Sequence, residues 1–355
     1  MASGIFVNES GRILVSLFFW IGKRVTILLP IFFYHKLAQS LLTMGFRRVV
    51  TPPGERQYYF DYLAPARINS RDTTLKEIGF LKKLTNIPMW QGNIFHSVVA
   101  NSLKRIRRRD SLLSKTWLRS LKNKVEKEWA FSESRSFRKT PQLIDKAGGL
   151  ALFEHEYDLE LSGKNSQVIL QFIEELVNRF TAWVEQTELT KTIQSAKQIW
   201  IEPDIYGSHA PGFVMNNVQV IAKVDLALVT PDKKFTIFDW KTGNSSSRLS
   251  GRNSQAEFQI SVYQLWPHLT LQYPLESVEA HVVYFGSAPV KHETFTMDLE
   301  QQEYTLSSIR RSIAYVQRFS NNDDELNFSL EDFDFANSVG ICQQCHFKKL
   351  CQRVL

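Results

Sequence analysis

Asp225, Asp239 and Lys241 form the densest concentration of chemistry-bearing residues in this chain of 355. Asp225 stands in Ala222-Lys223-Val224-Asp225, inside an apolar run. Asp239-Trp240-Lys241 closes the next apolar run and leads into Thr242-Gly243. The turn residues Thr230 to Lys234 join the two runs as hairpin neighbours, so the carboxylates can converge on one point. Hard oxygen ligands at such a point suit Mg²⁺ or Mn²⁺. Lys241 lies two residues beyond Asp239 and shares its strand face. An ammonium there can orient a metal-bound water and neutralise charge on a phosphoryl transition state. A plain surface ion pair is the competing reading. It fits Asp225 poorly, because Val220, Ile221, Val224, Leu226, Leu228 and Val229 predict burial. A buried carboxylate needs a partner.

The elements that must hold these residues can be read from composition and period. Hydrophobic residues are 43% and charged residues 22%, enough for a sizeable core and inconsistent with a disordered chain. The length allows one large domain or two small ones. The net charge of +7 is uneven: residues 1–150 are strongly basic and the remainder is acidic. Such a basic half suggests a polyanion partner. Residues 58–150 read as basic helices. Trp117, Leu118 and Leu121 interleave with cations to give one apolar and one cationic face. Val168–Glu188 has helix periodicity. Gln198–Ile201, Val218–Val229, Phe235–Trp240, Val278–Phe285 and Glu293–Met297 read as strands. Glu257–Tyr273 reads as a helix interrupted by Pro267. Leu299–Phe319 reads as a helix with Tyr304, Ile309, Ile313 and Val316 inward. The expected class is α/β, a small mixed central sheet flanked by helices, with a helical basic N-terminal part.

These residues resemble the RecB-type branch of the PD-(D/E)XK nucleases. That branch is written G-x-x-D, then D-[WY]-K-T-G, then Q-x-x-x-Y on the following helix. Ala222 stands at the glycine. Gln259 and Tyr263 have the last spacing. Gly92-Asn93-Ile94-Phe95-His96 is similar to its G-x-x-x-H helix motif, and Glu202 to its glutamate before the first aspartate. The resemblance implies a restriction-endonuclease-like core. His96, Asp225, Asp239 and the Trp240 carbonyl would hold the metal. Lys241 would activate water, Gln259 and Tyr263 would brace the site, and Glu202 would support it. It implies a Mg²⁺- or Mn²⁺-dependent deoxyribonuclease, an exonuclease on free or single-stranded DNA ends, in repair, recombination or defence. No P-loop is present, so a helicase motor would be a separate chain. A catalytically silent nucleic-acid-binding scaffold subunit is the competing function.

Arg105, Arg107, Arg108, Arg109, Lys115 and Arg119 are the expected phosphate contacts, with Trp117 and Trp129 as stacking platforms. The cysteines are Cys342, Cys345 and Cys351, spaced C-x2-C-x5-C. So few rule out a disulfide framework and suggest a reducing, cytoplasmic setting. Their spacing resembles the tail of the iron–sulfur RecB-type nucleases, which include AddB and the cluster-bearing CRISPR-associated exonucleases. There a fourth cysteine lies upstream, where Ala64 stands here. An iron–sulfur cluster with a non-cysteine ligand, zinc held with His346, and a metal-free remnant all stay open. The expected division is an apolar helical segment at 1–50 and a nuclease domain at 51–355, with its α/β core at 195–320 and its cysteine tail at 336–355. Ile13–Gly22 and Val25–Tyr34 are each too short to span a bilayer. A core-packing helical hairpin is expected there, with an interfacial membrane anchor as the alternative.

Overall fold

The structure is a computed structural model that describes residues 4–7, 13–16, 55–64, 72–204, 210–244, 255–317, 329–336 and 338–351. Two units are distinct, Met1–Lys36 and Leu37–Leu355. In the first, β1 (Gly4–Val7) pairs antiparallel with β2 (Ile13–Ser16). The helical expectation for 1–50 is therefore corrected at these strands. Ile13 and Val15 are β-branched and suit a pleat better than a helix. The rest of 1–50, including Val25–Tyr34, lies outside the described residues. Among the described residues no helix is long and apolar enough to cross a membrane.

The described part of the second unit begins with helices. α1 (Thr73–Leu81) starts at Asp72, whose carboxylate accepts from the Thr74 and Leu75 amides. α2 (Ile87–Arg107) starts at Asn86, which caps the Met89 amide, with Pro88 in the first turn. α3 (Trp117–Glu133), α4 (Ser166–Gln186) and α5 (Leu189–Ser195) follow. Then come β3 (Gln198–Ile201), β4 (Gly212–Met215), β5 (Val218–Ile221), β6 (Leu226–Val229) and β7 (Phe235–Lys241). α6 (Gln255–Leu271), β8 (Val278–Tyr284), β9 (Lys291–Phe295) and α7 (Leu299–Gln317) complete the core. The central sheet has the order β3-β6-β7-β8-β9. Only β7 and β8 run parallel, and α6 lies between them in sequence as the crossover such a pair requires.

Strand alternation sorts the core into two layers. Leu226, Leu228, Phe238, Trp240 and Val283 pack with α2, α3, α4 and α5. Ala227, Val229, Phe235, Ile237, Ala280 and Val282 pack with α6, α7 and the β4–β5 hairpin. Successive side chains point to opposite faces, so Asp239 and Lys241 fall on the α6 side with Phe235 and Ile237. A third cluster joins Phe60 and Ala64 to α1, Phe137, Phe153 and Phe347 of the tail.

Three local expectations need correction. Val218–Val229 is two strands, not one. Residues 222–225 leave the extended path, and β5 pairs with β4 outside the central sheet. α6 continues through Pro267, because the packing of Val262, Leu265 and Trp266 outweighs the missing hydrogen bond. Tyr304 is exposed rather than inward, while Ile309 and Ile313 are buried as expected.

Candidate active site

Register brings the acidic residues into one row. Ile201 pairs with Leu226, and Leu226 pairs with Phe238. One step beyond each pair lie Glu202, Asp225 and Asp239, side by side at one end of the sheet. The Glu202 amide donates to the Asp225 carbonyl at 2.9 Å and continues the ladder by one rung. Glu202 there adopts a positive φ of 40°, a strained turn for a non-glycine residue at the end of its strand. The Trp240 amide donates to Asp225 Oδ2 at 2.7 Å, which aims the carboxylate along the sheet end. Ala222 is fully buried, so the core accommodates its methyl where the motif carries glycine.

α2 delivers the histidine. His96 follows Gly92 by about one turn, and a methyl on Gly92 would lie in ordinary van der Waals contact with Thr242 Oγ1, at 3.5 Å. His96 Nδ1 lies 3.1 Å from Asp225 Oδ1 and 3.9 Å from Glu202 Oε1. A carboxylate only accepts, so Nδ1 carries the proton in this contact. Among the described residues, His96, Glu202 and Asp225 form the one group of three metal-ligating side chains with ligand atoms within 4.8 Å of one another.

The other half of the site is built on α6. Lys241 Nζ is 2.5 Å from Asp239 Oδ2 and donates to Gln259 Oε1 at 2.9 Å. Gln259 Nε2 donates to Tyr263 Oη at 2.5 Å and to Asp239 Oδ1 at 3.4 Å. Gln259 and Tyr263 are one helical turn apart and face the strand together. Gln259, Tyr263, Asp239 and Lys241 thus form one linked group. Asp239 is buried at 3% exposure, and its Oδ2 makes an ion pair without a hydrogen bond.

Electrostatics favour a cation here. Burial raises the Asp239 carboxyl above its ordinary range; Lys241 opposes this and Asp225 adds to it. Burial also raises Glu202, helped by Asp225 and opposed by His96, Lys104 and Lys223. Burial works against a charged His96, but Asp225, then Asp239 and Glu202, override it and raise its pKa. Three carboxylates meet one lysine and one histidine. A hard divalent ion relieves that imbalance, and ligand atoms within 4.8 Å suit its coordination sphere. The donor set, carboxylate oxygens with one imidazole, therefore fits a divalent cation. Glu202, expected only in support, stands in the tight group. Asp239, expected as a ligand, is engaged by Lys241.

The sequence matches the family model of the PD-(D/E)XK nuclease superfamily over residues 56–352. The chain belongs to that superfamily. No curated protein matches it. Within the matched span, Asp239-Trp240-Lys241 has the (D/E)XK spacing and stands at the end of β7 in a mixed sheet flanked by helices. Membership implies nuclease chemistry on a nucleic acid, and nucleases of this superfamily typically use divalent metals.

The expected nucleic-acid residues divide. Arg108, Arg109, Lys115 and Arg119 are exposed. Arg107 instead donates to the Ile193 and Gln194 carbonyls at 2.8 and 3.2 Å, capping the last turn of α5. Arg105 ties down the next loop through the Ser111 carbonyl at 2.7 Å and its hydroxyl at 2.8 Å. Trp129 is not a stacking platform. It is buried at 4% exposure, 6.2 Å from the Trp90 ring and 4.9 Å from His155. Trp117 packs partly buried against the same core. Both follow from the apolar stripe of α3, which needs its tryptophans inside.

The cysteine tail docks on residues 55–64. Phe347 stacks on Phe60 at 5.0 Å, and Ala64, Cys345 and Cys351 pack in the same cluster. The fourth cysteine position is thus a buried methyl. Tetrahedral zinc, at about 2.3 Å from each sulfur, needs sulfurs roughly 3.8 Å apart. Among the described residues, the three cysteines do not form a group whose three ligand atoms all lie within 4.8 Å of one another, although Cys342 and Cys351 act electrostatically on Cys345. Burial, over an opposing Phe347 backbone hydrogen bond, pushes the Cys345 thiol up to about 11.

Proposed function

We propose that the protein is a Mg²⁺- or Mn²⁺-dependent deoxyribonuclease of the RecB type, hydrolysing phosphodiester bonds from free or single-stranded DNA ends. The observation that carries the reading is the row Glu202, Asp225 and Asp239 at one sheet end, with His96 above it and Lys241 beside it. His96, Glu202, Asp225 and Asp239 would hold the ion, together with the Trp240 carbonyl. The ion supplies Lewis acidity and an acidified water. Lys241 orients the nucleophile and offsets negative charge on the phosphoryl group. Gln259 holds Lys241 in place, and Tyr263 holds Gln259.

The substrate backbone would approach along the cationic side of α2. Lys104 lies two turns beyond His96 and Lys223 two residues before Asp225, and both are exposed. Both act electrostatically on Glu202 at the site itself. Arg108, Arg109, Lys115 and Arg119 extend the basic path. A cytoplasmic setting, a role in repair, recombination or defence, and a separate helicase subunit complete the reading. The metal-free tail is the reading we favour for the cysteines, because aromatic and charged contacts already dock it.

The test is incubation of purified protein with linear single- and double-stranded DNA, in Mg²⁺, Mn²⁺ or EDTA, beside Asp239→Ala. Metal-dependent degradation lost in the variant supports the enzyme. Wild-type protein that binds DNA but never cleaves it would favour the silent scaffold.

A further inference from the structure

The bend after β8 presses on the segment that follows Lys241. The Phe285 amide donates to the Lys241 carbonyl at 2.8 Å. A methyl on Gly286 would lie 2.3 Å from the Thr242 carbonyl oxygen and 2.6 Å from the Gly243 carbonyl carbon. Both contacts are to backbone, which cannot swing aside as a side chain can. Only glycine allows this approach. From the other side, Arg179 of α4 donates through Nη1 to the Phe285 carbonyl at 3.0 Å and the Gly286 carbonyl at 3.2 Å. Its Nη2 donates to Glu175 Oε2 at 3.1 Å, which fixes the guanidinium. Thr242 meanwhile meets α2 at Gly92, about one turn from His96. The Thr242-Gly243 segment thus runs beside the His96 helix and is backed by a bend pinned by Arg179.

We propose that Arg179 and Gly286 are positioning residues that clamp this segment and so set Lys241 and the metal-binding row against His96. The partners of Arg179 are the Phe285 and Gly286 carbonyls and Glu175, not the carboxylates of Glu202, Asp225 or Asp239. The catalytic half of the inference rests on the nuclease reading. The clamp itself does not.

The experiment compares the wild type with Arg179→Lys, Arg179→Met and Gly286→Ala by hydrogen exchange at the Phe285 amide and by steady-state cleavage of linear DNA. Loss of the clamp raises local opening, so Arg179→Met and Gly286→Ala should exchange about tenfold faster or more. The kcat should fall about tenfold or more with KM nearly unchanged, and Arg179→Lys should recover part of both. A purely structural role would lower melting temperature while leaving exchange at Phe285 and kcat per folded molecule unmoved. That result overturns the proposal. If the wild type does not cleave DNA, the nuclease reading fails and the exchange comparison still decides the clamp. Should Gly286→Ala not fold, Arg179→Met carries the test.

Discussion

Lys241 Nζ lies 2.5 Å from Asp239 Oδ2 and donates to Gln259 Oε1 at 2.9 Å, so one ammonium is shared between strand β7 and helix α6. The helix thereby sets where the cation stands relative to the carboxylates. Removing the charge should damage the chemical step more than metal binding. Lys241→Met should lower single-turnover cleavage by roughly 10²–10³-fold, while calorimetry still detects Mn²⁺. Gln259→Leu leaves the lysine in place with one holder fewer and should lose only about tenfold. Loss of Mn²⁺ binding in Lys241→Met would count against this division of labour.

The cations around the site separate by what they touch. Lys104 and Lys223 are exposed beside Glu202, whereas Arg107 is spent on the carbonyls of Ile193 and Gln194. Lys104→Ala and Lys223→Ala should each weaken DNA binding. Each should also reduce the slope of log affinity against log salt by about 0.7–0.9. Arg107→Ala should leave that slope alone and lower the melting temperature instead. Salt titrations of fluorescent DNA binding, beside thermal melts, check both. Equal slopes for all three variants would remove the distinction.

That Asp225, Asp239 and Lys241 would come together was legible because the signals are local. Asp225, Asp239 and Lys241 lie within a single hairpin, where period two alone places Asp239 and Lys241 on one face. Gln259 and Tyr263 are one helical turn apart, and α6 follows directly. His96 and Glu202 came from the motif order, and sheet register then put Glu202 beside Asp225. What stayed hidden depends on contacts distant in sequence. Nothing near Gly286 announces that it meets Thr242, and Arg179 reaches Phe285 across 106 residues. The cation Arg107 and the ring of Trp129 looked free only because their partners lie in other elements.

The tail is held by contacts that need no cysteine. Besides Phe60 and Phe347, the Tyr157 hydroxyl donates to the His346 carbonyl, and Lys349 pairs with Glu156 at 3.0 Å. Just before the tail, Arg56 Nε donates to the Phe333 carbonyl at 2.9 Å. Phe347 is fully buried, so Phe347→Ala should cost about 3–5 kcal/mol in urea unfolding. The Cys342→Ala, Cys345→Ala, Cys351→Ala triple variant removes little volume and should lose much less. A brown, iron-containing wild type that collapses in the triple variant would instead show a cluster fastening the tail.

Away from the site, burial and then the neighbouring His292 hold His281 down to about 4. His281 is stacked on Phe238 at 4.6 Å, with His292 Nε2 at 3.0 Å and Thr294 Oγ1 at 3.1 Å from its Nδ1. Its Nε2 lies 3.2 Å from Glu279. The neutral ring suits this setting, donating from Nε2 to Glu279 and offering the one lone pair of Nδ1 to the Thr294 hydroxyl and His292 Nε2. Protonating Nδ1 abolishes its acceptor. The ordinary histidine value, about 6.5, lies above the folded value. The unfolded chain therefore binds the extra proton first as pH falls. Stability should hold above pH 6.5 and decline between 6.5 and 4, by roughly 3 kcal/mol from this residue. Urea unfolding across that range should show the slope, and His281→Asn should flatten it even if it starts from a lower stability. An unchanged slope in the variant would place the acid sensitivity elsewhere.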